Sequence, residues 1–402
     1  MAPSEPQTYT ARWIFPASGP PLERGTLTIR GSLIEAVEPH GVQTAEVDLG
    51  NVAIIPGLVN AHTHLDLSGA RGLIPPTDPE HFTHWLKGVI AYRRTRTPEQ
   101  VRGDIEAGLA ECLRFGTTML GDISADGGSW DAFSPSPLRS VVFREMIGLS
   151  QARAEEVADD CGRWLRNHPV MSECRPGLSP HAPYSARPVL FSDASNWCPE
   201  KDIALSVHIA ESEAEAELLL QRTGPFVEFL KNLGLWESAE LFNGYTELLN
   251  FCQFPQPKLF IHANYLPATQ KLPENSTIVY CPRTHAAFGH PPHPFREFQA
   301  RGVRVCLGTD SLASNPDLDL LAEARFVRER YPDVPGETLL KMVTLSGAEA
   351  LGWADEAGSL DAGKSADLVA MPLPNREAAD MYELLFESDG PRRTMYRGRW
   401  RE

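Results

Sequence analysis

Two histidines one residue apart, His62 and His64, close the run Pro56-Gly57-Leu58-Val59-Asn60-Ala61-His62-Thr63-His64. In an extended strand, side chains i and i+2 share a face, so both imidazoles can converge on one ion while Thr63 points away. His-x-His also occurs as a pair of solvated loop histidines, so the rest of the chain has to decide. Three further apolar runs exit into residues of the same chemistry: Ile203 to His208, Leu259 to His262, and Val303 to Asp310. Three histidines and one aspartate suit a single divalent ion, zinc first and iron(II) as the alternative, with a position left open for water.

Residues so far apart in sequence need a scaffold that collects strand ends, and the pattern of the chain predicts one. Eight strand-like runs lie between His62 and Asp310: the run ending at His64, introduced by a buried strand at Val52–Ile55, then Thr117–Asp122, Val141–Glu145, Pro176–His181, Ile203–His208, Leu259–His262, Thr277–Pro282 and Val303–Asp310. Helical patterns fill the gaps at Pro98–Phe115, Ala152–His168, Glu213–Leu230 and Pro294–Arg301. Alternation of this kind predicts an α/β protein with a (β/α)8 barrel whose site is built at the strand ends. The chain ends read differently, as short alternating runs and turns such as Gly25 to Gly31 and Ala366 to Met371, with a helix over Gly336–Leu351 joining barrel to tail. Residues 1–55 and 355–402 are expected to pair into one small β-domain beside a barrel spanning 56–354.

Composition narrows the partners. A chain of 402 residues with 42% hydrophobic residues can bury a large core, and a formal charge of −16 with no basic stripe argues against nucleic acid. Met1 to Arg30 has no apolar core of signal-peptide length and no run approaches a membrane span, so a cytoplasmic protein without membrane contact is expected. Seven cysteines form no Cys-x-x-Cys and read as reduced, buried thiols.

These residues together resemble the amidohydrolase superfamily, in its mononuclear metal-dependent deaminase and chlorohydrolase branch. The similarity rests on Pro56 to His64, Ser179-Pro180-His181-Ala182-Pro183-Tyr184-Ser185, His208-Ile209-Ala210-Glu211-Ser212, His262-Ala263, Leu307-Gly308-Thr309-Asp310-Ser311, and the tail Gly363-Lys364-Ser365-Ala366-Asp367-Leu368. The resemblance implies a distorted (β/α)8 barrel with a small β-sandwich made by the two chain ends. It implies that His62, His64, His208 and Asp310 hold the metal, and that His181 contacts the substrate. A divalent ion lowers the pKa of water from about 15.7 toward 7, which makes a hydroxide nucleophile at neutral pH. Asp310 would take the water's proton, although a Thr-Asp-Ser turn can equally be a helix N-cap. Glu211 would act as general acid and base, the competing reading being the start of the acidic helix that follows it. His262 would orient the nucleophile or polarise the new oxygen without necessarily binding the metal. No lysine ends a central strand, where binuclear members of the superfamily carry a carboxylated one, so one metal is expected.

The loop after the first strand, with Arg71, and the following Phe82-Thr83-His84-Trp85-Leu86 resemble the substrate-covering part of purine-nucleoside deaminases. His64-Leu65-Asp66-Leu67-Ser68 with the later Trp85-Leu86 is similar to aminodeoxyfutalosine deaminases, which, like S-adenosylhomocysteine deaminases, act on an adenosine-type nucleoside derivative. Where the branch shows Cys-Pro-x-Ser-Asn, this chain has Cys281-Pro282-Arg283-Thr284-His285. Arg283 could clamp a substrate carboxylate or serve as an ion-pair partner, and His285 could bond a ring or sugar hydroxyl. The expected partners are a small-molecule substrate and water, with a homodimer as the assembly. Guanine or cytosine deamination and triazine hydrolysis are the alternatives on the same metal centre, and a noncatalytic binding protein is the alternative of another class.

Overall fold

The computed structural model describes residues 5–237 and 240–401. Eight strands form one sheet in strict sequence order: β1 (Leu58–Thr63), β2 (Thr117–Ser124), β3 (Arg139–Met146), β4 (Cys174–Pro180), β5 (Ala204–Ile209), β6 (Lys258–His262), β7 (Ser276–Tyr280) and β8 (Arg304–Leu307). Pairing is parallel between successive strands from β3 to β8. Their residues are almost all buried, as parallel strands covered on both faces must be. The sheet curls so far that the Asp310 amide, just past β8, donates to the carbonyl of His62 on β1 at 3.1 Å. Gly308 permits that approach, because a Cβ there would lie 2.9 Å from the His62 Cβ. This is the expected (β/α)8 barrel.

Two details depart from the sequence pattern. Val52–Pro56 does form a strand, but it pairs with Leu368–Pro372 and Trp13–Ile14 in another sheet, and the histidine-bearing strand is the separate Leu58–Thr63. The helix expected over Glu213–Leu230 is two, Glu213–Gln221 and Pro225–Asn232. Arg222 closes the first in the left-handed region (φ +59°), Gly224 (φ +87°) turns the chain, and Pro225 opens the second. The helix expected over Gly336–Leu351 likewise divides, into Gly336–Met342 and Leu345–Ala350.

The described chain divides into two compact units, one of residues 1–61, 110–120 and 319–402, the other of 62–109 and 121–318, so that the division runs through β1 and β2. In the first unit, the chain ends build two sheets. One is ordered Leu33–Glu38, Thr26–Arg30, Gln7–Thr10, Val47–Asp48; the other is Arg399–Arg401, Arg393–Tyr396, Leu368–Pro372, Val52–Pro56, Trp13–Ile14, Leu22–Glu23. Tyr9, Leu27 and Ile29 of one meet Ile54, Leu368 and Met395 of the other in a single apolar cluster. All seven cysteines are buried and free. No described helix is long and apolar enough to cross a membrane.

Candidate metal centre and active site

The second unit carries a cluster of imidazoles at the C-terminal ends of its strands. β1 delivers His62 and His64, β5 His208, β6 His262, and the turn after β8 delivers Asp310. Thr63, between the first two, points the other way and donates to Asp122 Oδ1 at 3.0 Å, as the alternation of a strand requires. Ala210, His262, Ala263 and Asp310 all have positive φ (+50°, +67°, +54°, +59°). Four non-glycine residues in the left-handed region at strand exits mark a backbone bent to aim side chains inward.

The geometry fits a metal ion. Nitrogen or oxygen atoms of His62, His208 and His262 lie within 4.8 Å of one another, as do those of His62, His64 and Asp310. His64 Nε2 and His208 Nε2 face each other at 3.2 Å, and Asp310 Oδ1 lies 3.5 Å from His62 Nε2 and 3.8 Å from His64 Nε2. Ligands at about 2.0–2.1 Å from one centre stand about 3 to 3.5 Å apart. Both nitrogens of His62, which is 0% exposed, find no hydrogen-bond partner among the described residues. Buried imidazoles are normally satisfied, so nitrogens turned toward one another without donors between them form a donor set for a cation. His208 Nδ1 lies 3.1 Å from the carbonyl of His181, which can only accept, so Nδ1 carries the hydrogen and Nε2 offers its lone pair to the cluster.

Electrostatics point the same way. Burial pushes the pKa of His64 and His208 well below the usual value and that of His262 down to about 3, which favours neutral imidazoles able to offer a lone pair to a cation. Burial alone would raise Asp310, but the neighbouring His62, His262 and His64 rings hold it below the ordinary carboxylate range. Ser314 Oγ donates to its other oxygen at 3.0 Å. Glu211, 6% exposed, goes in the opposite direction: burial first, then Asp310 and Glu215, raise its pKa well above the usual value. Its Oε1 is 3.4 Å from His262 Nε2. One chamber therefore pushes the pKa of one carboxyl down and that of another up.

That chamber is lined by His64, His208, His262, Glu211 and Asp310, with His181 and Trp85 on its wall. His181 Nδ1 bonds Ser185 Oγ at 2.7 Å. Trp85 stacks on Phe82 and meets Phe288 edge-on at 5.1 Å. A larger cavity of about 490 Å³ adjoins it through the shared residues Leu86, Val89, Arg93, His181 and Tyr184.

Three of the expected substrate residues are not brought to either cavity. The Arg283 guanidinium is held by both oxygens of Asp317 at 2.7 and 3.2 Å and by the Asp317 carbonyl, which is the ion-pair arrangement of the two that the sequence left open. His285 is buried with its ring among Tyr280, His290 and His293. Arg71 is exposed on the loop after β1. Sequence reasoning missed Arg93, Asp66 and Glu145, which form a buried ion network: Arg93 Nε to Asp66 Oδ2 at 3.0 Å, and Nη1 to Glu145 Oε2 at 3.1 Å. It also missed Asp122, which accepts from the Leu65 amide at 2.9 Å as well as from Thr63 and so fixes the turn carrying His64.

Residues 53–401 match the amidohydrolase family. The chain belongs to that family. Among its relatives, the 5-methylthioadenosine/S-adenosylhomocysteine deaminase of Moorella thermoacetica is 29% identical over 385 residues, covering 90% of this chain and 84% of the relative. The aminodeoxyfutalosine deaminase of Nitratiruptor is 27% identical over 361 residues, covering 87% and 86%. In fold, the amidohydrolase chain is similar to the crystal structure of Helicobacter pylori aminofutalosine deaminase in complex with methylthio-coformycin, with a TM-score of 0.86 at 21% identity over 98% of this chain and all of that one.

Proposed function

We propose that this chain is a metal-dependent hydrolytic deaminase that releases ammonia from the aminopurine ring of an adenosine derivative. The observation that carries the reading is the convergence of the His62, His64 and His208 rings and the Asp310 carboxylate at the strand ends, with Glu211 and His262 side by side in the same chamber. The opposite directions in which the site pushes the Asp310 and Glu211 pKa values support it, since separated pairs let one site run acid and base chemistry.

His62, His64, His208 and Asp310 would hold one divalent ion, zinc by the preference of an imidazole and carboxylate set, with iron(II) as the alternative. That ion supplies a lowered pKa for water. Asp310 then accepts the proton of the attacking water. Glu211 would deliver its own proton to the ring nitrogen beside the attacked carbon; the proton held by Asp310 would pass to the amine, which leaves as ammonia as the carbonyl forms, and the proton of the new hydroxyl would return to Glu211. His262, neutral and 3.4 Å from Glu211, orients the water and steadies the new oxygen. His181 and Trp85 bound the ring on the chamber wall.

The adjoining cavity suits a substituent on the nucleoside. Its walls are mostly apolar, among them Leu86, Val89, Leu149 and Phe229, and Arg94 and Arg144 give it a cationic side. A long tail with an anionic group matches that lining. The names of the relatives, with 5-methylthioadenosine, S-adenosylhomocysteine and aminodeoxyfutalosine, support the same class. A charge of −16 supports a small-molecule substrate over nucleic acid.

The test is ammonia release by zinc-loaded protein from these three compounds and adenosine, with guanine, cytosine and aminotriazines beside them. Turnover of the adenosine derivatives alone is expected. Turnover confined to free bases or triazines would overturn the reading.

A further inference from the structure

Glu211 presents its carboxyl from a short turn, because β5 ends at Ile209 and the next helix already opens at Glu213. Ala210 makes that turn in the left-handed region (φ +50°), which a non-glycine residue keeps only where its surroundings hold it. Glu215 is what holds it. Its side chain is 0% exposed and accepts from the Ala210 amide through Oε1 at 2.6 Å and from the Glu211 amide through Oε2 at 3.4 Å. Two successive amides turned toward one carboxyl form a nest for it. The opposite side of the turn is tied to the exit of β6: the Tyr265 amide donates to the Ala210 carbonyl at 2.9 Å, and Asn264 Nδ2 donates to the Glu211 carbonyl at 2.9 Å. The amide and carbonyl of both residues are therefore bonded, and the Glu211 side chain is aimed into the metal chamber from a fixed backbone.

Helix initiation alone does not call for this acid. Ser212 is the N-cap of Glu213–Gln221, and its Oγ accepts from the Glu215 amide at 3.3 Å. In a capping box the acid at the third helical position reaches back to the cap residue's own amide. Here it reaches past Ser212 to the two residues before it, and a carboxyl buried this deeply is costly unless its bonds are needed. Glu215 does not line the chamber. We propose that Glu215 is a positioning residue for the reaction, acting through Glu211 by fixing the turn that aims the Glu211 carboxyl at the substrate. The proposal rests on the deaminase reading above.

The test is a double-mutant cycle on the zinc-loaded protein, read as kcat and KM for 5-methylthioadenosine with bound zinc measured on each preparation. Glu215→Gln keeps an acceptor for the Ala210 amide and sets an NH2 group against the Glu211 amide. Misplacing a reacting group by a fraction of its reach predicts a kcat about ten- to a hundredfold lower, with KM and zinc content unchanged. Made in the Glu211→Gln protein, the same substitution should lower the residual rate by less than about twofold, because a side chain that transfers no proton loses nothing when its aim is lost. A merely structural role would lower both rates alike. Losses that multiply in the double variant overturn the proposal, as do loss of zinc on Glu215→Gln or wild-type kcat in a folded Glu215→Gln protein. Amide hydrogen exchange of the wild type needs no variant to fold: the Ala210 and Glu211 amides should exchange as slowly as those of β5, and rapid exchange overturns the proposal. A zinc-loaded wild type that deaminates no nucleoside would be a different result, overturning the deaminase reading and this proposal with it.

Discussion

Glu211→Gln separates proton transfer from every other job the residue does. Glutamine has the same shape, can sit 3.4 Å from His262, and leaves His62, His64, His208 and Asp310 untouched. What it cannot do is deliver a proton and take one back. General acid–base catalysis contributes about 10² to 10⁴ in rate, or about 2.7 to 5.4 kcal/mol of barrier, so kcat should fall by that factor. Stability should move the other way. The folded-state pKa of Glu211 is raised by burial, Asp310 and Glu215, so above the ordinary carboxyl range the folded chain holds this proton to higher pH than the unfolded chain does. Its contribution is therefore greatest below the ordinary carboxyl range and is lost as pH rises above about 4.3. The glutamine variant lacks that loss and should be at least as stable as the parent above neutrality. The assay is ammonia release at saturating substrate, with metal content and urea unfolding measured on the same preparation. A variant with full metal and kcat within about tenfold of wild type, short of the smallest expected loss, would refute the assignment.

The other expectations follow from the same geometry. Asp122 has a folded pKa pushed up to about 7 by burial from an ordinary 3.8, so its share of stability falls as pH rises across that window. Asp122→Asn, which keeps an acceptor for Thr63 and Leu65, should flatten the dependence by about 1 to 3 kcal/mol, measured by urea unfolding on either side of it. Arg283→Ala should cost about 1 kcal/mol or less, because its ion pair with Asp317 is partly solvated, and should leave KM unchanged; a large rise in KM would return Arg283 to the substrate. His62→Ala should lose the metal-dependent rise in melting temperature, which for the parent corresponds to about 2.7 kcal/mol at a free metal concentration of 100 Kd. Metal-dependent stabilisation that survives in the variant would remove His62 from the ligand set.

The barrel was legible in the sequence because each strand is a short apolar run that ends in a residue of distinct chemistry. The periodicity of β5, β6 and β8 carries His208, His262 and Asp310 to one end of the sheet, and nothing but strand order is needed to bring them together. Buried cysteines were equally readable. What failed depended on backbone turns or distant partners. Arg222 in a left-handed turn breaks a helix that composition alone continues into Phe226, and no hydrophobic pattern separates Val52–Pro56 from Leu58–Thr63 as strands of different sheets. Arg283 is joined to Asp317, 34 residues on, and the pair could be weighed in the sequence but not decided. The Asp66, Arg93 and Glu145 network crosses a loop, a helix and a strand, and no local spacing announces it.

The account turns on one divalent ion, held by the imidazole and aspartate cluster, serving deamination of a purine nucleoside. The most direct measurement strips the protein with a chelator, returns zinc in steps, and follows ammonia release from 5-methylthioadenosine against bound metal. Activity should be absent without metal, rise linearly and level off at one ion per chain. Full turnover in the stripped protein, or none at any metal loading, would contradict the account.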